Sequence, residues 1–328
     1  MPTGPTPAAG SARGDLLVIG GAEDKLGKRT ILTEFVRRAG GSDARIAVVP
    51  TASSLGAEIV EVYAALFEKL GAAEVYAVRP EHRADASDPG LMEDLERATG
   101  VFMTGGNQLK LSTVIAGTPF GHALVAARER GVTIAGTSAG ASIQSSHMVA
   151  FGPGGSTPKQ RMTQVAAGLG LLENCVIDQH FAQRNRYGRL LMIVSQSPQL
   201  LGLGVDEDTA AVVTTSEDGH EVMTVAGRGS VTVMDGTHMV SNAHEAKERK
   251  PILASGVVLH VLPAGSCFDL TDRRLLPSPV VEDPVEAEAV AAAHHDLRKM
   301  TRDIAAGDVS PSVLRRRLAR RTKGARDD

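Results

Sequence analysis

Tryptophan is absent from this 328-residue sequence, and aromatic residues make up 3% of it. A core with so few rings must be aliphatic, built from Val, Leu, Ile and Ala. Cysteine is nearly absent too: Cys175 and Cys267 are the 2 in the chain. They exclude a disulfide framework, and since both sit in apolar runs they read as buried thiols. Neither sign of charge dominates, with 35 Lys and Arg against 38 Asp and Glu and a formal net charge of -3. That balance offers no general case for nucleic-acid binding. No run approaches the ~20 apolar residues of a membrane span. The N-terminus is rich in Pro, Gly, Ala and Ser and lacks the apolar stretch of a secretory signal. The expectation is a soluble cytoplasmic protein, with no membrane or nucleic-acid partner and a disordered leader over residues 1–14.

What is present is a regular alternation of strand and helix patterns. Strands are expected over 15–19, 45–49, 73–78, 100–103 and 132–135. Helices are expected over 29–39, 57–70, 91–98, 108–115 and 122–130. His122 and His147 fall in stretches read as helical. Nearly continuous apolar strands in this order predict a parallel sheet covered on both faces. Glycine clusters recur just after strands, at the carboxyl edge where such sheets bind ligands. From about residue 201 short strands follow one another, with turns at Asp218-Gly219 and Asp235-Gly236 that read as hairpins, so the sheet should continue as mixed or antiparallel β. Past residue 280, Asp283-Pro284 caps a helix whose apolar face holds Val290, Leu297, Met300 and Ile304, and a solvated basic tail follows. The expected division is a leader at 1–14, a main domain at 15–280 and a helical extension with basic tail at 281–328.

The chemistry centres on Gly136-Thr137-Ser138-Ala139-Gly140, which follows the apolar run Val132-Thr133-Ile134-Ala135. Gly-x-Ser-x-Gly after a strand is the pattern of a nucleophile elbow, a sharp turn that lifts a serine hydroxyl clear of the backbone. Such a serine needs a base, and the base an orienting group. Among the 10 histidines, His180 in Asp178-Gln179-His180-Phe181 follows a strand pattern, which would put it at the same sheet edge as Ser138. An orienting carboxylate is available in Gly204-Val205-Asp206-Glu207-Asp208-Thr209. Backbone N–H donors for an oxyanion are available at Ala139 and in Gly105-Gly106-Asn107-Gln108. Arg184, Arg186 and Arg189 crowd just past His180, and arginine forks there suggest an acidic substrate. Gly20-Gly21-Ala22-Glu23-Asp24-Lys25 lacks the Gly-x-Gly-x-x-Gly spacing of a dinucleotide loop. No cluster has metal-ligand spacing, so neither metal nor cofactor is expected.

Together these segments, in this order over about residues 15 to 275, resemble the cyanophycinase family of serine peptidases, which also contains the aspartyl dipeptidase peptidase E. The resemblance implies a flavodoxin-like α/β sandwich related to class I glutamine amidotransferases, mostly parallel with antiparallel C-terminal strands. It implies a triad of Ser138, His180 and Glu207, with oxyanion donors at Gly106 and Ala139. It also implies a substrate pocket containing Gln108, Asp178, Gln179, Arg184, Arg186 and Arg189. The three arginines would hold substrate carboxylates, and Asp178 would meet a guanidinium. The implied substrate is cyanophycin, a polyaspartate carrying arginine on its side-chain carboxyls, cut to β-Asp-Arg dipeptides by a homodimer that uses no cofactor.

Other readings stay open at this level. One is a dipeptidase of the same family acting on aspartyl or isoaspartyl peptides. Another is an α/β-hydrolase esterase, whose Ser, acid, His order would use Ser138, Asp206 or Asp208, and a late histidine such as His238. A third is a non-catalytic protein that binds acidic peptides through its arginines.

Overall fold

The computed structural model describes residues 13–277. The expected leader at 1–14, save its last two residues, and the whole extension at 281–328 lie outside the described residues. In chain order the elements begin with β1 (Leu16–Ile19), α1 (Thr30–Arg38), β2 (Arg45–Val49), α2 (Ala57–Lys69), β3 (Glu74–Ala77), α3 (Pro89–Glu96) and β4 (Gly100–Met103). Then come α4 (Gln108–Ile115), α5 (Pro119–Glu129), β5 (Thr133–Thr137), the single turn α6 (Ala139–Ser142), β6 (His147–Phe151), β7 (Gln164–Ala167), β8 (Cys175–Gln179) and α7 (Tyr187–Gln196). The remainder is β: β9 (Leu201–Val205), β10 (Thr209–Thr215), β11 (Glu221–Gly227), β12 (Ser230–Asp235), β13 (Val240–Ser241), β14 (Ala254–Ser255), β15 (Val258–Pro263), β16 (Cys267–Asp269) and β17 (Arg274–Leu276).

Helices α3 and α5 begin a few residues before their apolar periodicity does. Asp88 and Thr118 cap them, accepting from the Gly90 and Gly121 N–H groups, and a proline follows each cap. Asn107 caps α4 in the same way through the Lys110 N–H. His147 opens β6 rather than sitting in a helix, because it pairs with Ala167 of β7. That partner is a later segment which local periodicity cannot reveal.

A 9-stranded sheet runs in the order β17-β16-β11-β10-β1-β5-β4-β2-β3. β1, β5, β4, β2 and β3 are mutually parallel, and β10, β11, β16 and β17 extend it antiparallel from β1. The alternation of the pleat divides its core. Leu17, Ile19, Ile46 and Val48 face α1 and α2, while Leu16, Val18, Ala47 and Val49 join the larger cluster with Leu111, Phe120 and Leu124. The few rings are concentrated on the first face, where Phe35, Tyr63, Phe67 and Phe102 lie with ring centroids 4.5 to 5.7 Å apart. Elsewhere the interior is mostly aliphatic, with Phe120, Phe181 and Phe268 as scattered buried rings.

One expectation needs correction. β8 and β9, which precede His180 and Glu207, do not join the sheet that carries Ser138. They form a separate 4-stranded sheet, β15-β12-β9-β8, with β8 parallel to β9 and β12 and β15 antiparallel. The physical reason lies in the glycines of β9. A Cβ on Gly202 would meet Val194 and Leu190 of α7 at 2.9 and 3.0 Å, and one on Gly204 would meet the Phe181 ring at 2.5 Å. These bare positions let α7 and Phe181 close over one face of the second sheet, while Ile177, Leu203 and Val205 pack into the larger core on the other. Asp218-Gly219 does turn a hairpin between β10 and β11. Asp235-Gly236 does not, since β12 pairs with β9 and β15.

Arg128 of α5 is completely buried. Its Nε donates to the Gly14 carbonyl at 3.1 Å, Nη2 to Glu221 Oε1 at 2.9 Å, and Nη1 to the Leu171 carbonyl. It thus ties the entry of β1, the approach to β8 and the start of β11 to one helix. Burial pulls its pKa below the ordinary guanidinium value, and Glu221 only partly restores it. Replacing Arg128 by Met strands two carbonyls and leaves Glu221 only the longer contact to Arg13 at 3.4 Å, so urea unfolding should show a loss of about 3–5 kcal/mol. A loss below about 1 kcal/mol would mean that the guanidinium contributes no more than a surface ion pair.

Candidate active site

Ser138 stands where β5 turns into α6, with φ 54 and ψ -108, a backbone conformation that costs on the order of 1–3 kcal/mol for a residue with a Cβ. The neighbours make this turn possible. A Cβ on Gly136 would lie 2.0 Å from the Gly140 carbonyl oxygen, and one on Gly140 would lie 2.2 Å from that of Met103. The elbow read in the sequence is therefore the local geometry, with the hydroxyl partly exposed at the carboxyl end of β5.

Ser138 Oγ lies 3.0 Å from His180 Nε2, and His180 Nδ1 lies 2.6 Å from Glu207 Oε1. A carboxylate only accepts, so Nδ1 carries the proton and Nε2 is left to accept from the serine hydroxyl. His180 is 7% exposed. Burial lowers its pKa below the ordinary histidine value; Glu207 opposes that, and Arg184 and Arg186 reinforce it. At neutral pH the ring is therefore an uncharged acceptor.

Three successive carbonyls at the end of β1 hold these loops. The Ser138 N–H donates to Ile19 at 3.0 Å, the His180 N–H to Gly20 at 2.8 Å, and the Asp208 N–H, next to Glu207, to Gly21 at 2.9 Å. Gly21 has φ +99, and a Cβ there would lie 2.3 Å from His180 Cε1. A Cβ on Gly20 would lie 2.0 Å from the Asp206 carbonyl oxygen. In the sequence this Gly-Gly pair lacks dinucleotide spacing and carries no role in the site. The available signal was a glycine pair directly after a buried strand.

The other neighbours also have identifiable tasks. Gln183 Oε1 accepts from the Glu207 N–H at 3.0 Å. Glu23, 4% exposed, accepts from Thr137 Oγ1 at 2.6 Å, Tyr63 Oη at 2.5 Å and Lys25 Nζ at 2.7 Å, bracing the residue before the nucleophile. Burial works to raise the Glu23 pKa, but Lys25 and these hydrogen bonds outweigh it and keep it below the usual carboxylate value. Asp206 accepts from Ala182 N and from Ser230 N and Oγ, and Asp208 accepts from Asp24 N and pairs with Arg228. Both are occupied away from the imidazole, and His238 is an exposed loop residue, so the acid and base of the esterase reading are not beside Ser138.

Gly105 and Gly106 lie against the nucleophile turn. A Cβ on Gly105 would sit 3.1 Å from Ser138 Cβ, and Gly106, at φ +145, would meet the Ala52 carbonyl oxygen at 2.0 Å. Among the described residues, the N–H groups of Gly106 and Ala139 have no intramolecular acceptor.

The expected substrate residues divide into two groups. Gln108, Gln179 and Arg186 form a chain: Arg186 Nη1 donates to Gln179 Oε1 at 2.6 Å, Gln179 Nε2 to Gln108 Oε1 at 2.8 Å, and Gln108 Nε2 to the Val149 carbonyl at 2.5 Å. Asp178, by contrast, has no exposed surface. Arg189 forks onto it, with Nε at 2.6 Å from Oδ2, and Arg186 Nη1 lies 3.2 Å from Oδ1. The expectation that Asp178 meets a substrate guanidinium, and that Arg189 shares the holding of carboxylates, is corrected: these two charges neutralise one another. Burial, which Asp178 only partly offsets, brings the Arg186 pKa down to about 10. Arg184 is exposed.

With this geometry in hand, the comparisons are specific. The pattern of Peptidase family S51 matches residues 16–221. A protein named cyanophycinase from Trichormus variabilis is 41% identical over 266 residues, covering 80% of this chain and 88% of that one. One of the same name from Geminocystis herdmanii is 38% identical over 259 residues, 78% and 94% of the two chains. In fold, the chain is similar to a peptidase from an acI-B1 Actinobacterium, with a TM-score of 0.56, 22% identity, and coverage of 79% of this chain and 98% of that one. Among the described residues no helix is long and apolar enough to cross a membrane.

Gly21→Ala should leave a folded protein with a displaced imidazole. Labelling of Ser138 by an organophosphonate should slow by about 100-fold, in line with the cost of a reacting group moved by an ångström. Unchanged labelling would show that the ring needs no bare backbone beneath it.

Proposed function

We infer, for a chain that belongs to Peptidase family S51 and is a serine-type peptidase, that Ser138, His180 and Glu207 are its catalytic triad and that its substrate is cyanophycin. The observation that carries this reading is the pair of contacts at 3.0 and 2.6 Å joining serine, imidazole and carboxylate. Ser138 attacks the scissile carbonyl as its proton passes to His180 Nε2, and Glu207 holds the imidazole tautomer and stabilises the imidazolium. The N–H groups of Gly106 and Ala139 receive the oxyanion. His180 then gives its proton to the leaving amine and takes one from the water that releases the acyl group. The relatives' name supports cyanophycin as the polymer, with β-Asp-Arg as product. The domain carrying this chemistry is proposed as 15–280, in a cytoplasmic homodimer.

Substrate recognition is assigned to Arg186 and Arg184 for carboxylates and to Gln108 and Gln179 for the polymer backbone. The Asp178–Arg189 pair fixes the position of Arg186 from beneath. Arg186 uses Nη1 on Asp178 and Gln179, and its remaining donors are available to a ligand. A dipeptidase would need the same triad, so the choice between polymer and small peptide rests on the relatives and is settled by assay. Incubation with cyanophycin should release β-Asp-Arg, whereas products only from short α-aspartyl peptides would favour the dipeptidase.

Ser138→Ala, His180→Ala and Glu207→Gln should each cut turnover, the first two on the order of 10³-fold or more, and the Ser138/His180 double variant should be no worse than the poorer single one. Because the base must be uncharged, kcat/KM should rise with pH through the His180 pKa, lying below 6.5, and stay level above it. Glu207 raises that pKa, so in Glu207→Gln the rise should move to still lower pH. A rise centred well above the ordinary histidine value in the parent enzyme would assign the base elsewhere. Arg186→Lys keeps the charge but loses the planar fork, and should lower kcat/KM on cyanophycin by about tenfold.

A further inference from the structure

A cavity of about 760 Å³ opens beside the loop that carries His180, lined among others by Phe151, Lys159, Arg161, Asn185, Glu248 and Arg249. The proposed chemistry uses none of these residues. The cavity and the site share a wall. Gly155 N donates to the Asn185 carbonyl at 2.6 Å, Gly188 N to the Gly155 carbonyl at 2.8 Å, and Arg189 Nη1 to the Gly152 carbonyl at 2.8 Å. The segment after β6 is thereby fastened along the loop that runs from His180 to α7.

Two features separate this cavity from ordinary basic surface. First, among the described residues the side chains of Lys159, Arg161 and Arg249 have no ion-pair or hydrogen-bond partner. Three cations face one space, with Glu248 as the acidic residue in the lining. Second, Arg161 and Arg249 both have left-handed backbone, with φ 56 and 60, and neither is glycine. One buried residue holds both, through its side chain and its backbone. Gln160 Oε1 accepts from the Arg161 N–H at 3.1 Å and from Gln196 Nε2 at 2.7 Å, and its Nε2 donates to the Ala243 carbonyl. The Gln160 carbonyl accepts from the Arg249 N–H at 2.9 Å, and its N–H donates to Lys250 at 2.9 Å. Strain held at two neighbouring positions by one buried residue marks places where the direction of the side chain matters.

We propose that this cavity is a distal subsite for an extended substrate, in which Lys159, Arg161 and Arg249 hold carboxylates of units remote from the scissile bond. Phe151, 72% exposed, and Glu248 offer a ring face and a carboxylate to the guanidinium groups that alternate with those carboxylates. The mixed lining fits a ligand that repeats both charges and does not fit a uniformly anionic one such as nucleic acid. This rests on the polymer reading above and extends it: the enzyme would hold the chain it is shortening.

The test uses the full chain with Ser138→Ala, so that binding is measured without turnover. Titration calorimetry compares a long cyanophycin oligomer with the shortest cleavable fragment. The long oligomer should bind more tightly by about tenfold or more, and added salt should erode the difference because the cations are exposed. Arg161→Asn with Arg249→Asn, a residue that tolerates left-handed backbone, should abolish the length advantage and leave fragment binding unchanged. Lys159→Gln, which does not touch the strained positions, should remove part of it. Equal affinity for long and short ligands in the parent, or an equal loss for both in the variants, would overturn the subsite. The substrate reading fails by a separate route, if the protein with Ser138 intact releases no β-Asp-Arg from the polymer.

Discussion

The site depends on the last turn of one strand. β1 ends at Ile19 and runs on into Gly20 and Gly21, and the three carbonyls hold the serine, the histidine and the segment after Glu207. Each such hydrogen bond is worth only about 0.5–1.5 kcal/mol net. Their importance is geometric. Successive carbonyls point in fixed, different directions, so the loops can be hung on them in one arrangement. The absent side chains matter as much. Bare backbone at Gly20 lets the Asp206 peptide approach, and at Gly21 it lets the imidazole lie over the chain. Any Cβ at Gly21 would occupy the space of the ring.

That constraint explains why a site divided between two sheets can be accurate. Ser138 belongs to the large sheet, and His180 and Glu207 to the small one. Packing alone would leave their relative position to many soft contacts. β1 pairs with β5 and β10 within the large sheet and reaches across with its carbonyls to the loops of the small one. The buried pair Asp178 and Arg189 does similar work on the far side of His180. Its two charges carry no net charge between them, while Arg186 leans on Asp178 and Gln179 through Nη1 alone. A carboxylate buried without such partners would be far too costly, so the pairing is a condition for placing an arginine beside the base at all.

Much of this could be read in the sequence, and the failures have a common cause. The parallel strands announce themselves because burial on both faces makes them continuously apolar, and the elbow because strain confines its neighbours to glycine. His180 is legible from its position after a strand pattern, and Glu207 from family resemblance; the carboxylates of Asp206 and Asp208 flank it, and only their partners in the fold distinguish them. What escaped depends on pairing between distant segments. β8 and β9 look like further strands of one sheet, and only Gly202 and Gly204 hint that another layer covers them. His147 sits in a strand because of residues near 167. Asp178 looks like a ligand contact in the sequence, because nothing there says that Arg189 folds back onto it.

The strained residues complete the picture. Ser138 and His180, with φ 54 and 47, both carry side chains in left-handed backbone, at about 1–2 kcal/mol or more each. A local turn would relax such strain by a small rotation, and the hydroxyl and imidazole would part. Here each strained N–H is bonded to an adjacent carbonyl of β1, and β1 is buried between two strands that fix its register. Rotation at either residue would break a hydrogen bond in a place where water does not readily replace it, so the unpaired group would cost about as much as the rotation saved. The strain therefore persists, and it keeps Ser138 Oγ within hydrogen-bond reach of the base before any substrate arrives.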